Sequence, residues 1–274
     1  MAIINISRQP YSLRNEIAVK IAEKLEYKLI DKSVINNKVK DFHCNFSDEL
    51  NDLANEKKPG FFKNFYKSPQ LYNCLVQSII FQEASHDNVV INGRGGQYIL
   101  NQPYVLNIRL IAPFDLRCSY LEKEEGVNHS VAKKFLKKKD HDRESFIRYL
   151  FNKEISDASY YDLIFNHHKL GTDAIILTIF DYVGRMEKAH PLTNHHKNDL
   201  KRWALEKRVE ATIIKKMPEY DLLKAIECEK LGDIKIVGFY KGGTNKDKIY
   251  ELAKLCHGVN SVNMQLTGIK TNMV

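Results

Sequence analysis

The chain has 274 residues, 43% of them apolar and 28% charged, and a net charge of +8. That length suits two domains with a sizeable core, and that composition belongs to a folded globular protein, not a disordered or fibrous one. No stretch approaches the roughly 18 consecutive apolar residues of a membrane span, and no basic region with a long apolar segment precedes the first apolar run, so a cytoplasmic protein is expected.

The apolar run Ile3, Ile4 and Ile6 reads as a first strand. The helix after it places Ile17, Ala18, Ile21, Ala22 and Leu25 on one face at spacings of three and four. In the turn between them, Tyr11, Leu13 and Arg14 stand where small residues would let backbone amides approach a phosphate. A short second strand, 28–30, ends at Asp31, which suits the N-cap of a helix beginning "KSVINNKV". The region 41–67 is polar, then aromatic, with Pro59-Gly60 as a breaker, and reads as an insertion. Its Phe61, Phe62, Phe65 and Tyr66 either pack onto the main body or form an exposed patch, which would suit a homodimer.

Helical patterns over 68–85, 114–124, 129–151 and 172–187 alternate with apolar runs at 89–91, 105–111 and 163–165. Strands alternating with helices predict right-handed crossovers and an α/β fold, a parallel sheet covered by helices on both faces. Ligands in such sheets bind beyond the carboxyl ends of the strands. The first domain is expected to span 1–184. A stretch with a proline and no periodicity, 185–198, reads as a linker. A small α+β module, 199–274, then has the order αββαβ: helix 199–216, strands 222–228 and 234–239, a helix capped by Thr244 and stopped by Gly258, and strand 259–266.

Positive charge concentrates in "KKFLKKKDHDR" (133–143) and in 197–216. It suits anionic partners, whether nucleotide phosphates, nucleic acid or anionic lipid, and charge alone does not choose among them. Cys44, Cys74, Cys118, Cys228 and Cys256 never form a CxxC pair and read as reduced, mostly buried thiols. The adjacent pairs His167-His168 and His195-His196 do not suit one ion, so no metal site is expected from protein ligands alone.

"ISRQ" with its helix, "YKLIDKSVI", "VVINGRGGQYIL", "VLNIRLIAPFDLRCSYL", "KKKDHDRESF" and "YYDLIFNHHKLGTDAI" occur in this order over residues 1–183. Together they resemble the cytidylate-kinase-like family of P-loop nucleoside monophosphate kinases. The C-terminal module resembles a BON domain, with "VGFYKGG" and "GVNSVNMQL" as its signature ends. The first resemblance implies ATP and Mg²⁺ as cofactors and transfer of a γ-phosphoryl group to an acceptor such as CMP, a reaction driven by positioning and charge neutralisation.

Family members carry a Gly-Ser-Gly-Gly-like run after "SRQ", where this chain has Tyr11-Ser12-Leu13-Arg14. The Gly-Lys-Ser/Thr ending of a P-loop is missing as well, so the phosphate loop is degenerate. Ser12 offers a hydroxyl there and Arg14 a charge. By the resemblance, Asp31 belongs to the monophosphate-binding region and Arg94, in "NGRGG", grips the acceptor phosphate. A guanidinium can hold phosphate oxygens bidentately. By the same resemblance, Arg117, and Arg143 with Asp140 on one helical face, correspond to lid residues whose arginines approach the transferring phosphoryl group or the acceptor nucleotide; an ion pair within a solvated helix is the other reading of that face.

Three functions follow: a degenerate kinase that binds a nucleotide or other phosphorylated small molecule in a sensory or regulatory role, an active nucleoside monophosphate kinase, and an interaction protein working through its C-terminal module on a protein or lipid partner. The missing glycines favour the first over the second, and the retained arginines favour it over the third. Nucleic acid is not the expected partner.

Overall fold

The computed structural model describes residues 2–12, 16–41, 68–217, 223–241 and 246–269. Its elements begin with β1 (Ile3–Arg8), α1 (Glu16–Leu25), β2 (Lys28–Ile30), α2 (Lys32–Asp41), α3 (Ser68–Ala84), β3 (Val89–Asn92), α4 (Gly96–Ile99) and β4 (Val105–Ile111). They continue with α5 (Phe114–Glu125), α6 (His129–Phe151), β5 (Leu163–Asn166), α7 (His167–Ala189), α8 (Asn194–Lys216), β6 (Leu223–Lys230), β7 (Asp233–Lys241), α9 (Lys246–Lys254) and β8 (Ser261–Ile269). The chain divides into two compact units, one drawn from residues 1–61 and 86–193, the other from 62–85 and 194–274.

The first unit is a five-stranded sheet in the order β2-β3-β1-β4-β5, with every neighbouring pair parallel. Alternation along the strands gives its two faces different chemistry. Ile4, Ile6, Val90, Leu106, Ile108 and Leu110 form one face and pack with Ile17 and Ile21 of α1 and Ile175, Ile179 and Val183 of α7. The other face carries Asn5 and Ser7 of β1 beside Asn107 and Arg109 of β4, all buried and in register, Asn5 with Asn107 and Ser7 with Arg109.

Buried polar groups cost free energy unless they find partners, and most of these do, although Asn5 Oδ1 has none among the described residues. Asn5 Nδ2 donates to Asn107 Oδ1 at 2.8 Å, and Arg109 Nη1 donates to Ser7 Oγ at 3.4 Å and to the Tyr161 hydroxyl at 3.1 Å. A one-residue slip of β4 would put these groups into the apolar face, so the pairs fix the register.

Helix ends follow local chemistry. Asn128 caps α6 by accepting from the Val131 amide, and Gly126, in the left-handed conformation, ends α5. Gly171 interrupts α7 at φ 73°, so its regular part begins where the periodicity at 172–187 predicts.

In the second unit, β6 and β7 are antiparallel, β7 and β8 parallel, and the order α8-β6-β7-α9-β8 matches the αββαβ pattern expected for 199–274. Its core joins Leu205, Val209 and Ile213 of α8 to Ile234 and Ile236 of β7 and Ile249 and Ala253 of α9.

Helix α3 also belongs to this unit, although the sequence pattern places 68–85 inside a first domain of 1–184. It is bound to α8: Ser78 Oγ donates to the Ala204 carbonyl at 2.8 Å, Arg208 donates to Gln82 Oε1 at 3.3 Å, and the Phe81 and Trp203 rings lie 5.5 Å apart. The expected linker, 185–198, is largely helical, since α7 runs to Ala189 and α8 starts at Asn194. Cys74, Cys118, Cys228 and Cys256 are free and buried. Phe61, Phe62, Phe65, Tyr66, Cys44 and Thr244 lie outside the described residues, and among those described no helix is long and apolar enough to cross a membrane.

Candidate functional site

A cleft of about 1300 Å³ opens at the carboxyl ends of β1, β2 and β3, in the first unit. Ser7, Arg8, Pro10 and Tyr11 line it from β1 and the turn beyond, Asp31 from the end of β2, Asn92 to Gly95 from the end of β3, and Lys139, Asp142 and Arg143 from α6.

The turn after β1 is bound up in itself. Tyr11 takes a left-handed conformation, φ 54°, which a residue with a Cβ adopts at a cost. Its ring meets Phe135 of α6 edge-on at 6.1 Å and packs against the small cluster of Cys118, Leu121, Ala132 and Leu136. Ser12 is fully buried, and its hydroxyl donates to the Gln9 carbonyl at 2.7 Å. The hydroxyl proton that sequence reasoning offers to a phosphate is therefore committed inside the turn. Arg14, like Leu13, lies outside the described residues.

Two arginines bind this turn and the end of β1. Arg117, on α5, is 4% exposed at its side chain and grips Asp140 of α6 with two parallel bonds of 2.9 and 2.8 Å. Its Nη1 also donates to the Pro10 carbonyl at 3.2 Å, and its guanidinium lies 5.3 Å from the centre of the Phe114 ring. Arg143 Nη1 donates to the Arg8 carbonyl. Asp140 and Arg143 share α6, as their spacing predicts, but the partner of Asp140 is Arg117. Arg143 lines the cleft; neither Arg117 nor Asp140 is among its lining residues.

The turn after β3 has the opposite character. Gly93, Arg94 and Gly95 follow one another at φ 82°, 61° and 72°, three left-handed residues in a row. A Cβ at Gly95 would come within 2.4 Å of the Phe151 ring, and one at Gly96 within 2.6 Å of Asn5 Oδ1, so both glycines are needed for close approach. Arg94, held between them, is buried and lines the cleft.

Asp31 lines the cleft as well. Its Oδ1 accepts from the Ser33 amide at 2.9 Å, the Ser33 hydroxyl at 2.7 Å and the Val34 amide at 3.1 Å, which makes it the N-cap of α2. Burial pushes its carboxyl pKa up, but these bonds and the nearby Arg94 charge outweigh that, so it lies below the usual carboxylate value. The capping and site readings of Asp31 are thus compatible in one side chain.

Sequence reasoning missed the floor of the cleft. Ser7 and Gln97 line it, and both are tied from behind to one hydroxyl system. Gln97 Nε2 donates to the Tyr161 hydroxyl at 3.3 Å, Arg109 Nη1 donates to the same hydroxyl, and that hydroxyl donates to the Ile155 carbonyl at 2.9 Å. Period-two spacing of Asn5 and Ser7, and of Asn107 and Arg109, inside otherwise apolar strands was the available signal.

Asn166 Oδ1 and His167 Nδ1, where β5 meets α7, are buried without hydrogen-bond partners among the described residues, and burial lowers the His167 pKa. Among the described residues no group of three or more His, Cys, Asp or Glu side chains is placed to hold a metal ion.

A sequence profile of the cytidylate kinase-like family matches residues 3–169, which takes in every element that lines the cleft. A cytidylate kinase of Ignicoccus hospitalis is 23% identical over 180 residues, covering 65% of this chain and 97% of that one. A cytidylate kinase of Thermococcus sibiricus is 31% identical over 100 residues, 35% of this chain and 50% of the relative. The crystal structure of an uncharacterized protein from Eubacterium ventriosum superposes with a TM-score of 0.53 at 20% identity, covering 67% of this chain and 99% of that one, a likeness of fold.

Proposed function

The chain belongs to the cytidylate kinase-like family, and from that premise we propose that it binds a nucleoside monophosphate at Asp31 and Arg94 and transfers phosphoryl groups slowly or not at all. The observation that carries this reading is the commitment of the lid arginines to the turn after β1. Phosphoryl transfer needs cationic donors aimed at the phosphoryl oxygens before the reaction begins. Here Arg117 spends its charge on Asp140 and donates to the Pro10 carbonyl of that turn, and Arg143 donates to the Arg8 carbonyl where the turn begins.

ATP with Mg²⁺ is the phosphoryl donor that the family implies. In a P-loop the Ser or Thr hydroxyl reaches the metal. Ser12 does not fit that role, because its hydroxyl is fully buried and turned to Gln9. No step is therefore assigned to the metal. On the acceptor side, Arg94 supplies a buried guanidinium suited to a phosphate, and the names of the relatives make CMP the first acceptor to try. A sensory or regulatory role follows from a protein that binds such a ligand without efficient turnover.

An active kinase is the second reading, and the intact glycine turn around Arg94 favours it. ADP production measured with CMP, dCMP, UMP and AMP separates the two. The expected turnover is below about 1 per second with every acceptor. A rate within the range of about 1–100 per second typical of kinases overturns the slow reading and establishes the second. Calorimetry with CMP is expected to show binding, and no heat with any of the four monophosphates would remove both.

A further inference from the structure

The two sheets have four edge strands among the described residues: β2 and β5 in one, β6 and β8 in the other. An open edge presents unpaired backbone groups, and proteins protect it by keeping it short, charging it or bulging it. Strand β2 has three residues and β5 has four. Strand β6 carries Glu227, Glu229 and Lys230 and is bulged twice, between Leu223 and Ala225 and between Cys228 and Lys230.

Strand β8 has none of these protections. Its nine residues, Ser261–Ile269, include no charge and no proline, and its pairing with β7 runs without a break from Asp233 and Ser261 to Lys241 and Ile269. Ser261, Asn263, Gln265 and Thr267 are exposed, while Val262, Met264 and Leu266 pack against the core of the unit.

We propose that β8 is a dimerisation edge, on which a second copy of this chain adds its own β8 in antiparallel register. The absence of charge argues for a second copy. An uncharged strand brings no like charges together when it pairs with itself, whereas self-pairing of β6 would crowd Glu227 and Glu229 against their counterparts. A two-fold axis at the middle of the strand sets Gln265 opposite Gln265, Asn263 opposite Thr267 and Met264 opposite Leu266. Across these central pairs polar residues meet polar ones on the exposed face and apolar residues meet apolar ones on the packed face, while Ser261 opposite Ile269 and Val262 opposite Gly268 close the ends. Such a contact is isologous and closed, giving one six-stranded sheet with a charged, bulged β6 at each end.

Analytical ultracentrifugation of the full chain is expected to show a dimer. Gln265→Lys, which faces a lysine with a lysine at the axis and leaves the packed face untouched, is expected to weaken it at least tenfold. Glu229→Gln on the opposite edge is expected to leave it unchanged. Gln265→Cys is expected to form a disulfide-linked dimer under mild oxidation. A monomeric wild type overturns the proposal, as does a dimer that Gln265→Lys leaves intact and Gln265→Cys does not cross-link. Circular dichroism checks that the variants fold, and the cross-link decides the matter if Gln265→Lys does not.

Discussion

The turns after β1 and β3 leave adjacent parallel strands at the same end of one sheet, and both border the same cleft. After β1 the Tyr11 ring packs against Phe135, the Ser12 hydroxyl is spent on Gln9, and two guanidiniums bind carbonyls of the turn and of the strand's last residue. After β3 the side chains are pared to glycine on both sides of one arginine, and the left-handed run is held by Phe151 against Gly95 and Asn5 against Gly96. Left-handed residues other than glycine cost of order 1–3 kcal/mol and persist only where the surroundings enforce them. Both turns contain one, Tyr11 and Arg94: the first packs an aromatic ring against α6, and the second places a buried guanidinium at the cleft. What a loop can offer an anion thus depends on which side chain its left-handed residue carries.

The largest expected effect tests whether the first turn is held by its clamp. Breaking a buried ion pair costs about 3–5 kcal/mol. Because Asp140 is a quarter exposed, a discounted cost of about 2–4 kcal/mol is expected for Arg117→Ala in urea denaturation. Arg117→Lys, which cannot bond bidentately, should fall between. CMP affinity should hold, since Arg117 does not line the cleft. A loss below about 1 kcal/mol, the worth of an ordinary exposed pair, would mean the clamp does not hold the turn.

The second effect falls on the other turn and on binding, not folding. Arg94→Ala is expected to weaken CMP binding by about 1.5–3 kcal/mol, the worth of a hydrogen bond to a charged group. Calorimetry reads the affinity and thermal denaturation checks the fold. Unchanged affinity would take Arg94 out of the site and erase the contrast between the turns.

The residues foretold this contrast unevenly. Strands β1 to β5 were legible because parallel strands buried on both faces read as short apolar runs, and Arg94 stood out because a turn needs glycine but not arginine. The partner of Asp140 was hidden: helical spacing shows that Asp140 and Arg143 share a face, but not that Arg117, 23 residues away, reaches across from α5. Helix α3 was legible as a helix and not as a neighbour of α8, because periodicity marks an apolar face without saying what covers it. The Arg109–Tyr161 floor went unread for the same reason, since a polar residue inside a strand declares its need for a partner but not the partner's identity.

The smallest effect concerns Asp31, which lines the cleft and caps the start of α2. Loss of an N-cap costs about 1 kcal/mol, so Asp31→Ala is expected to destabilise the protein by about that much near neutral pH, where the carboxylate is ionised. The pH dependence has a definite sign. Hydrogen bonds from Ser33 and Val34 and the charge of Arg94 hold the folded carboxyl below its ordinary value, with burial opposing them, so its contribution is complete above the unfolded value of about 3.9 and is lost as pH falls through the depressed folded value. The gap in stability between wild type and Asp31→Ala should therefore be constant from pH 7 to about pH 5 and should narrow in acid. Asp31→Asn keeps an oxygen that can cap α2 but loses the charge beside Arg94, so it should recover most of the stability at neutral pH and show none of the narrowing. A gap that stays constant into strong acid would mean that the cap works without its charge, and that Arg94 does not sense Asp31 across the cleft.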